Sequence, residues 1–508
     1  MPQIKNKNFK NFEKTDVLCI YGQSSPDFND QLKKWLKKKK NRKIIFLEDD
    51  IDKYKSLDDQ ISKIFKKREV KSIFIKDSLD LDLKKIAWDC VYLDLKVIKS
   101  PTDLRDSNFE KIENFLNEYH LGATLTSYIY SDFGINVFEN FYSNLLNTDK
   151  FALFESMKDS CKNIPAIIAG AGPSIENDLD DLKKAYDKAL IFTSGSSINI
   201  FSKNNIKYNF AASIDQNPYF KRFKNNHLFE NNNIFFYQNQ INRHNLSIVD
   251  GNKALVSDYG AYPLKGWIYE RLGIKQDVFE AGWTVTTFLI KIATLLGCNP
   301  IIFVGLDLSY QKDKYAKGVT KDKSEYELIK IKDKKGEIVF TQKDWLLAKK
   351  WIEEFAKNKT TTFINASQSG LKIENVEESN LKALLKNLQN LQDLEGFTHT
   401  LYQNQEIIKL DKKKVIDVLT QIAKSLKKAD FLCDEYMLEM EKNIFEDINL
   451  LKLQNEIVYI HLLDPIWQIW KPVIKREIPD DKMHLIINKL LFFKNVIFEH
   501  LKLIGQFL

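Results

Sequence analysis

Short apolar runs alternate with amphipathic helical patterns along two stretches of this chain, and this alternation constrains the fold more than any other feature. Strands that alternate with helices predict parallel sheets covered by helices on both faces. The first stretch, from Asp16 to Ser100, contains DVLCIYG, RKIIFLEDD, VKSIFIKD and CVYLDLKVIKS. The second starts near Ile164 and contains PAIIAGAGPS, ALIFTSGSS, YNFAASIDQNP, NIFFYQ, NPIIFVGLDLS and TTTFINAS.

Changes in this pattern divide the chain into three regions. We predict an α/β fold with an N-terminal α/β domain and helical connector (1–150), a central doubly wound, Rossmann-like domain (151–375) and an all-helical C-terminal region (376–508). A length of 508 residues is typical of about three domains. In the last region, leucines recur on one helical stripe and no strand pattern follows them.

Composition excludes several classes of protein. Hydrophobic residues make up 44% of the chain, which is typical of a globular protein. Only seven of the 76 basic residues are Arg, and the Lys runs alternate with acids, so we expect no nucleic-acid partner. Five cysteines without a close pair predict neither a disulfide framework nor a zinc site. Without an apolar leader or membrane span, we expect a cytoplasmic protein.

The clearest motif is the turn Gly170-Ala171-Gly172-Pro173-Ser174, which follows an apolar strand and precedes a helical pattern. Glycine at 170 permits a tight turn, and glycine at 172 lets a ligand approach the backbone. Ser174 can cap a helix whose first amides attract a phosphate. The sequence therefore predicts an anion-binding turn, and an ordinary strand-to-helix turn with a helix cap is the alternative interpretation.

The sequence lacks residues that are typical of two nucleotide-binding motifs, and this limits which anion the turn is expected to bind. The third glycine of the dinucleotide fingerprint falls at Ile175, and the next strand ends in Ser194-Gly195-Ser196 without an acid for a ribose. The chain has no G-K-[ST] run for a P-loop. Both observations disfavour a nicotinamide enzyme and an ATP hydrolase.

Polar residues end four of the predicted strands of the central region. They are the Ser194–Ser196 turn, Asp215, Asp307 and Asn365. Ligands of open α/β sheets bind at the carboxyl ends of the strands, so this pattern favours one shared site. Each residue taken alone also fits a cap or a turn former. Literal D-x-D strings begin at Asp80 and Asp178, but their positions do not favour a metal site, and we predict none.

Three segments of the central region carry a family resemblance. They are IIAGAGPS, SIDQNP and GWTVTTFLIKIATLLGCNPIIFVGLDLSYQKDKYAKG, and the likeness is strongest from 164 to 375. The chain resembles the motility accessory factor (Maf) family of flagellin glycosyltransferases. The resemblance implies transfer of a pseudaminic or legionaminic type of sugar from its CMP-linked donor to Ser or Thr of flagellin, in support of flagellum assembly and motility. It implies no cofactor, since the CMP-linked sugar is the donor substrate.

The same core is similar to bacterial sialyltransferases that use a CMP-sugar. That similarity implies that Tyr315 binds the leaving phosphate, and it aligns the second phosphate-binding tyrosine with Ser309, one residue before Tyr310. Those enzymes have Asn at the position of Ala171. The donor-binding residues expected from the turn, the strand ends and this similarity are Gly170, Ala171, Gly172, Pro173, Ser174, Ser194, Gly195, Ser196, Thr284, Gly305 and Tyr310.

A proton acceptor must be found elsewhere, because the histidine that serves those sialyltransferases has no counterpart here. The chain has no His between His244 and His399. Transfer to a hydroxyl needs a general base, and we expect Asp215 first, Asp307 second and His244 third. Asp215 is preferred because the polar run Gln216-Asn217-Pro218 that follows it can present a carboxylate to an acceptor.

Two other functions remain open at this point. One is a non-catalytic flagellin-binding assembly factor, which the missing histidine favours. The other is a 6-hydroxymethylpterin diphosphokinase, since archaeal enzymes of that type resemble the core around the turn but lack the flanking regions. Trp467, Trp470, Phe492, Phe493 and Phe498 fit either a helical core or a surface that docks the acceptor protein.

Overall fold

The computed structural model describes residues 12–66, 69–76, 79–216, 233–258, 262–275, 277, 279–280, 282–310, 328–357, 359–442, 448–478 and 481–508. The chain forms two compact units. One contains the residues up to Asp132 together with Trp467–Ile486, and the other contains Phe133–Ile466 with Ile487–Leu508. The predicted division into three domains stays a prediction.

The N-terminal unit contains a four-stranded parallel sheet. Its elements are β1 (Val17–Tyr21), α1 (Pro26–Lys37), β2 (Lys43–Glu48), α2 (Ile51–Ile64), β3 (Val70–Phe74), α3 (Leu79–Asp89) and β4 (Leu95–Lys99). The strand order is β3-β2-β1-β4. Side chains of Ser25 and Asp50 cap the first turns of α1 and α2, as expected for residues that accept hydrogen bonds from free amides.

Both faces of this sheet are buried. Cys19 and Tyr21 of β1 pack into the hydrophobic cluster on one face, while Leu18 and Ile20 pack into the cluster on the other. Successive side chains of a strand point to opposite faces, so a strand with no polar residue must be covered on both sides. The α/β pattern predicted for this region is therefore confirmed.

Helix α4 (Asp106–Asn147) corresponds to the predicted helical connector. Its backbone leaves helical geometry at Gly134, where φ is 14° and ψ is −103°. The two units divide beside this residue, between Asp132 and Phe133. The chain then enters β5 (Lys150–Leu153), which begins at the last residue of the predicted N-terminal region (1–150).

The larger unit is built on alternating strands and helices that continue from β5. These are β6 (Ala166–Ala169), α5 (Leu179–Ala185), β7 (Leu190–Ser194), α6 (Ile198–Lys203), β8 (Phe210–Ser213), β9 (Ile234–Tyr237), α7 (Arg243–Ser247), β10 (Asn252–Leu255), α8 (Pro263–Leu272), α9 (Val285–Leu295), β11 (Ile301–Val304), β12 (Ile329–Lys332), β13 (Ile338–Thr341), α10 (Lys343–Lys357) and β14 (Phe363–Asn365). Strands β12 and β13 form a separate antiparallel pair.

The C-terminal region adds helices and two short strands. Its elements are β15 (Glu377–Glu378), α11 (Leu381–Asn387), α12 (Leu394–Gln403), β16 (Ile407–Lys409), α13 (Lys412–Glu441), α14 (Ile448–Gln454), α15 (Asp464–Glu477) and α16 (Lys482–Ile504). The expectation that this region contains helices alone is corrected by β16, which pairs antiparallel with β5. Three residues are too few to show a period-2 pattern, so the sequence gives no signal for this strand.

The ten-stranded sheet has the order β15-β14-β11-β6-β7-β8-β9-β10-β5-β16. All neighbouring pairs are parallel except β16 with β5. The chain moves outward from β6 to β10 and then returns to β11 on the other side of β6. The strand order therefore reverses between β6 and β11, and such a reversal marks the ligand crevice of doubly wound sheets. The predicted α/β fold class with a Rossmann-like sheet is confirmed.

Part of the aromatic C-terminal region serves as core. Trp467 is buried, and the ring of Trp470 stacks on that of Tyr92 at a centroid distance of 6.4 Å. Phe493 is also buried, whereas 62% of Phe498 is exposed. All five cysteines are buried and form no disulfide. Among the described helices, none is long and apolar enough to cross a membrane.

Candidate functional site

The glycine turn lies where the strand order reverses. It follows β6, and its backbone is bonded to the segment after β11: the Gly170 amide donates to Val304 O and the Gly172 amide donates to Gly305 O, both at 2.8 Å. A 3-10 turn, Pro173–Asn177, connects it to α5. The first amides after the turn therefore do not open a long α-helix.

Both glycines are required by contacts within the chain. A Cβ atom at Gly170 would lie 2.4 Å from the carbonyl oxygen of Gly305. A Cβ atom at Gly172 would lie 2.7 Å from the same oxygen and 2.7 Å from Oδ2 of Asp307. The expectation that the space at 172 is left for a ligand is thus corrected, because the chain's own backbone and carboxylate already fill it.

Ile175 explains why the dinucleotide fingerprint is broken. Its side chain is buried and packs against Gly305, where a Cβ atom would lie 2.8 Å from Cβ of Ile175. Gly305 also has a φ of +65°, a backbone conformation that is unfavourable for residues with a side chain. The close approach of β6 and β11 therefore uses a glycine after β11 instead of a third glycine in the turn.

Asp307 holds the turn in place. Its carboxylate is buried and accepts hydrogen bonds from the Ser174 amide, at 2.8 Å, and from the Ser174 hydroxyl. Burial raises the pKa of Asp307, and the bonds from Ser174 partly oppose that shift. Ser174 therefore binds a carboxylate of its own chain and makes no side-chain cap. These contacts make Asp307 a structural partner of the turn and a poor candidate for the general base.

A second carboxylate lies close to the turn. Asp178 is buried and accepts a hydrogen bond of 3.0 Å from Nε2 of Gln368. Burial raises its pKa to about 6, and the negative charge of Asp307 contributes to the same shift. Anionic groups are therefore disfavoured on the buried side of the turn. Ala171, Gly172 and Pro173 are half-buried and form the solvent-accessible side of the turn.

Serines connect the ends of β6 and β7. The Ser197 hydroxyl donates to the carbonyl of Ala169 at 2.9 Å and accepts from the Ser194 amide at 3.0 Å. Ser194 and Gly195 are buried, and Ser196 is half-buried. The sequence predicted residues 194–196 as part of the site but not Ser197, although it directly follows them in Ser194-Gly195-Ser196-Ser197. Ser197 therefore holds the turn after β7 against the end of β6. Ser196 has the more accessible hydroxyl.

Asp215 lies two residues beyond β8 at the same carboxyl edge. Its side chain is half-buried, and its carbonyl accepts a hydrogen bond of 2.9 Å from the amide of Asn242. Strand β8 is two strands from β6, which corresponds to about 10 Å at the usual strand spacing. His244, the third candidate base, is exposed on the short helix α7.

Three predicted site residues remain: Thr284, Tyr310 and Tyr315. Thr284 is the N-cap of α9 and accepts a hydrogen bond of 3.2 Å from the Thr287 amide. Tyr310 is buried, and its backbone pairs with Phe340 while its hydroxyl accepts from Gln342. Tyr315 lies outside the described residues.

Helix α9 places Thr284 at the carboxyl edge of the sheet. The helix leads into the amino end of β11, so it runs antiparallel to the strands, and its 11 residues span about 16 Å. It packs on β6, β7, β8 and β11. The first turn of α9 therefore faces the same edge as the glycine turn and Asp215.

Polar residues also follow β9 and β10 at the carboxyl edge of the sheet, and these residues were not predicted from the sequence. We call the polar residues along this carboxyl edge the polar edge. Nζ of Lys265 on α8 lies 3.0 Å from Oδ2 of Asp258 and 3.0 Å from Oε1 of Gln240. Nε2 of Gln238 donates to the carbonyl of Ser257 at 2.7 Å. The run Gln238–Asn242 after an apolar strand was the available signal. Asn365, at the end of β14, bonds Glu378 and Ser367 and supports the turn after its own strand.

Comparison with solved structures identifies the architecture. The structure of a Maf glycosyltransferase from Magnetospirillum magneticum AMB-1 matches with a TM-score of 0.58 and 13% sequence identity. The match covers 100% of this chain and 84% of that chain. This chain has the fold of a Maf glycosyltransferase. The predicted resemblance to that family is supported, and at this identity the match establishes the fold alone.

A family described as 6-hydroxymethylpterin diphosphokinase MptE-like matches residues 139–313. That range includes the glycine turn, the Ser194–Ser196 turn, Asp215, Thr284 and Gly305. A sequence search of curated proteins gave no match. The family match therefore covers the core that carries the polar edge, whereas the Maf likeness covers the N-terminal unit and the C-terminal helices as well.

Proposed function

We propose that this protein is a glycosyltransferase that moves a nonulosonic sugar of the pseudaminic or legionaminic type from a CMP-linked donor to Ser or Thr of flagellin. The observation that carries the proposal is the match to a Maf glycosyltransferase fold over the whole chain. The resemblance of the turn, the SIDQNP segment and the segment after Gly282 to that family supplies the substrates. We propose that the reaction takes place in the cytoplasm and needs no cofactor, since the CMP-linked sugar is a substrate.

The donor is proposed to bind across the end of β6. The accessible side of the turn, at Ala171, Gly172 and Pro173, would contact the CMP portion, and Ser196 and Thr284 border the same edge. Tyr315 is assigned to the leaving phosphate by the sialyltransferase similarity. Gly170, Ser174, Ser194, Gly195 and Gly305 support the site by shaping its backbone, since each is buried.

The reaction requires one proton to be removed from the acceptor. The hydroxyl oxygen of Ser or Thr bonds to the anomeric carbon while the bond from that carbon to the phosphate oxygen breaks, and CMP leaves with the electron pair. Asp215 is proposed to take the proton. Asp307 is less suitable because both of its carboxylate oxygens accept hydrogen bonds from Ser174.

The acceptor protein is proposed to bind the C-terminal helices. Phe431 of α13 and Phe498 of α16 are 60% and 62% exposed. Lys494 of α16 forms ion pairs of 2.8 Å with Asp430 and Asp434 of α13, so the two helices lie side by side. Aromatic side chains beside ion pairs suit contact with a helical partner such as flagellin.

A pterin diphosphokinase is the second candidate function. The family match over residues 139–313 favours it, and the polar edge lies within that range. The likeness of the whole chain to a Maf glycosyltransferase, including the regions on either side of residues 139–313, favours sugar transfer.

Titration calorimetry separates these two functions. The full chain should bind CMP, and it should show no heat with 6-hydroxymethylpterin added in the presence of ATP. AMP is the matched control, because it keeps the ribose phosphate and changes the base, and it should bind more weakly than CMP. Binding of the pterin with ATP but not of CMP would replace the transferase with the diphosphokinase.

A further inference from the structure

Two asparagines of α4 face the polar edge of the sheet. Nδ2 of Asn144 donates to the carbonyls of Asn239 and Ile241, at 2.9 and 2.8 Å. Nδ2 of Asn140, one turn earlier, donates to the carbonyls of Gln216 and Gln240, at 3.2 and 3.4 Å. Both side chains are buried. A primary amide carries two N–H donors, so each asparagine can bridge two backbone carbonyls.

These hydrogen bonds involve the backbone around Asp215, the candidate general base. The loop after β9, which Asn144 holds, provides the Asn242 amide that donates to the carbonyl of Asp215 at 2.9 Å. Asn140 bonds the carbonyl of the next residue, Gln216. Oδ1 of Asn140 also accepts from the Arg243 amide at 3.2 Å, so one side chain connects the segments after β8 and β9.

The short strand β8 gives this segment little support of its own. The strand ends at Ser213, and the backbone carbonyls of residues 215 and 216 are bonded by groups from the loop after β9 and from α4. A catalytic side chain must be held within a fraction of an ångström of its productive position. The backbone at Asp215 is therefore positioned by α4.

We propose that Asn140 and Asn144 are positioning residues for sugar transfer, which set the orientation of the Asp215 carboxylate toward the acceptor hydroxyl. This inference rests on the proposed function. It assigns a role to α4 that neither its amphipathic pattern nor its length reveals. Neither asparagine forms a described hydrogen bond with the glycine turn after β6, so we expect donor binding to be independent of them.

The test replaces each asparagine by leucine, which has the same branching at Cγ and no hydrogen-bonding group. Asn140→Leu and Asn144→Leu should each lower kcat for transfer to flagellin by at least tenfold and leave the Kd for CMP within twofold of the unchanged protein. Asn147→Leu is the matched control, because Nδ2 of Asn147 bonds only Ser143 within α4. It should change neither quantity.

A double substitution separates positioning from a general loss of structure. If Asn140 acts through Asp215, then Asn140→Leu should lower transfer less than twofold further once Asp215→Asn is present. An equal loss in both backgrounds would overturn the proposal, as would unchanged kcat in the single variants. If Asn140→Leu does not fold, Asn140→Ala leaves space for a bridging water and is compared in the same way.

A measurement on the unchanged protein gives an independent check. The Asn242 amide should exchange its hydrogen slowly, because its bond to Asp215 belongs to a buried network. Rapid exchange would show that the segment is not held and would overturn the inference. Failure of the proposed function is distinguishable, since the unchanged protein would then transfer no sugar while the slow exchange persisted.

Discussion

Asp215→Asn should lower the rate of sugar transfer by about a hundredfold or more and leave CMP affinity unchanged. The substitution keeps the size and hydrogen-bonding capacity of the side chain but removes the basic group, and general-base catalysis is worth about 10² to 10⁴ in rate. Donor binding should survive because Asp215 lies about 10 Å from the glycine turn, two strands away at the usual spacing. Turnover and calorimetry on the same preparation measure both effects.

The matched control for this variant is Asp250→Asn. Asp250 is exposed and lies two residues before the amino end of β10, on the edge of the sheet opposite the candidate site. Transfer by this control should be unchanged. Transfer by Asp215→Asn within threefold of the unchanged protein at neutral pH would eliminate Asp215 as the base.

Gly172→Ala should destabilise the larger unit and weaken CMP binding together. The new Cβ atom would lie 2.7 Å from the Gly305 carbonyl oxygen and from Oδ2 of Asp307, and backbone cannot move away as a flexible side chain can. Overpacking of this kind costs about 1 to 3 kcal/mol of unfolding free energy. Urea unfolding followed by circular dichroism should show the decrease.

Gly195→Ala provides the comparison for this variant. Its Cβ atom would meet the Ser213 hydroxyl at 3.3 Å, a contact that a small side-chain shift relieves. We expect a smaller loss of stability from it than from Gly172→Ala. Equal stability of Gly172→Ala and the unchanged protein would show that the contact between the turn and Asp307 is not as close as described.

The order of strands and helices could be predicted from the sequence because it depends on local patterns. The strands of the N-terminal sheet are five or six residues long and rich in apolar and β-branched residues, and the buried residues of α1 and α2 recur at helical spacing. The glycine turn was found for the same reason, since strand, turn and helix are consecutive in the chain.

Contacts between distant segments could not be predicted. Ser174 and Asp307 are 133 residues apart, and no local pattern indicates that one binds the other. Asn140 and Asn144 look like ordinary polar positions of a long helix, and the backbone carbonyls that they bind lie 76 to 100 residues later. Such residues reveal their role only when the sheet order brings the strand ends together.

Intact-mass spectrometry of flagellin tests the central claim most directly. Unmodified flagellin should be incubated with the full chain and a CMP-linked pseudaminic or legionaminic acid, with the donor omitted in a parallel sample. The account predicts that flagellin gains one or more whole nonulosonic acid residues and that one CMP is released for each. Flagellin of unchanged mass, with every donor molecule recovered intact while both remain bound to the protein, would contradict it.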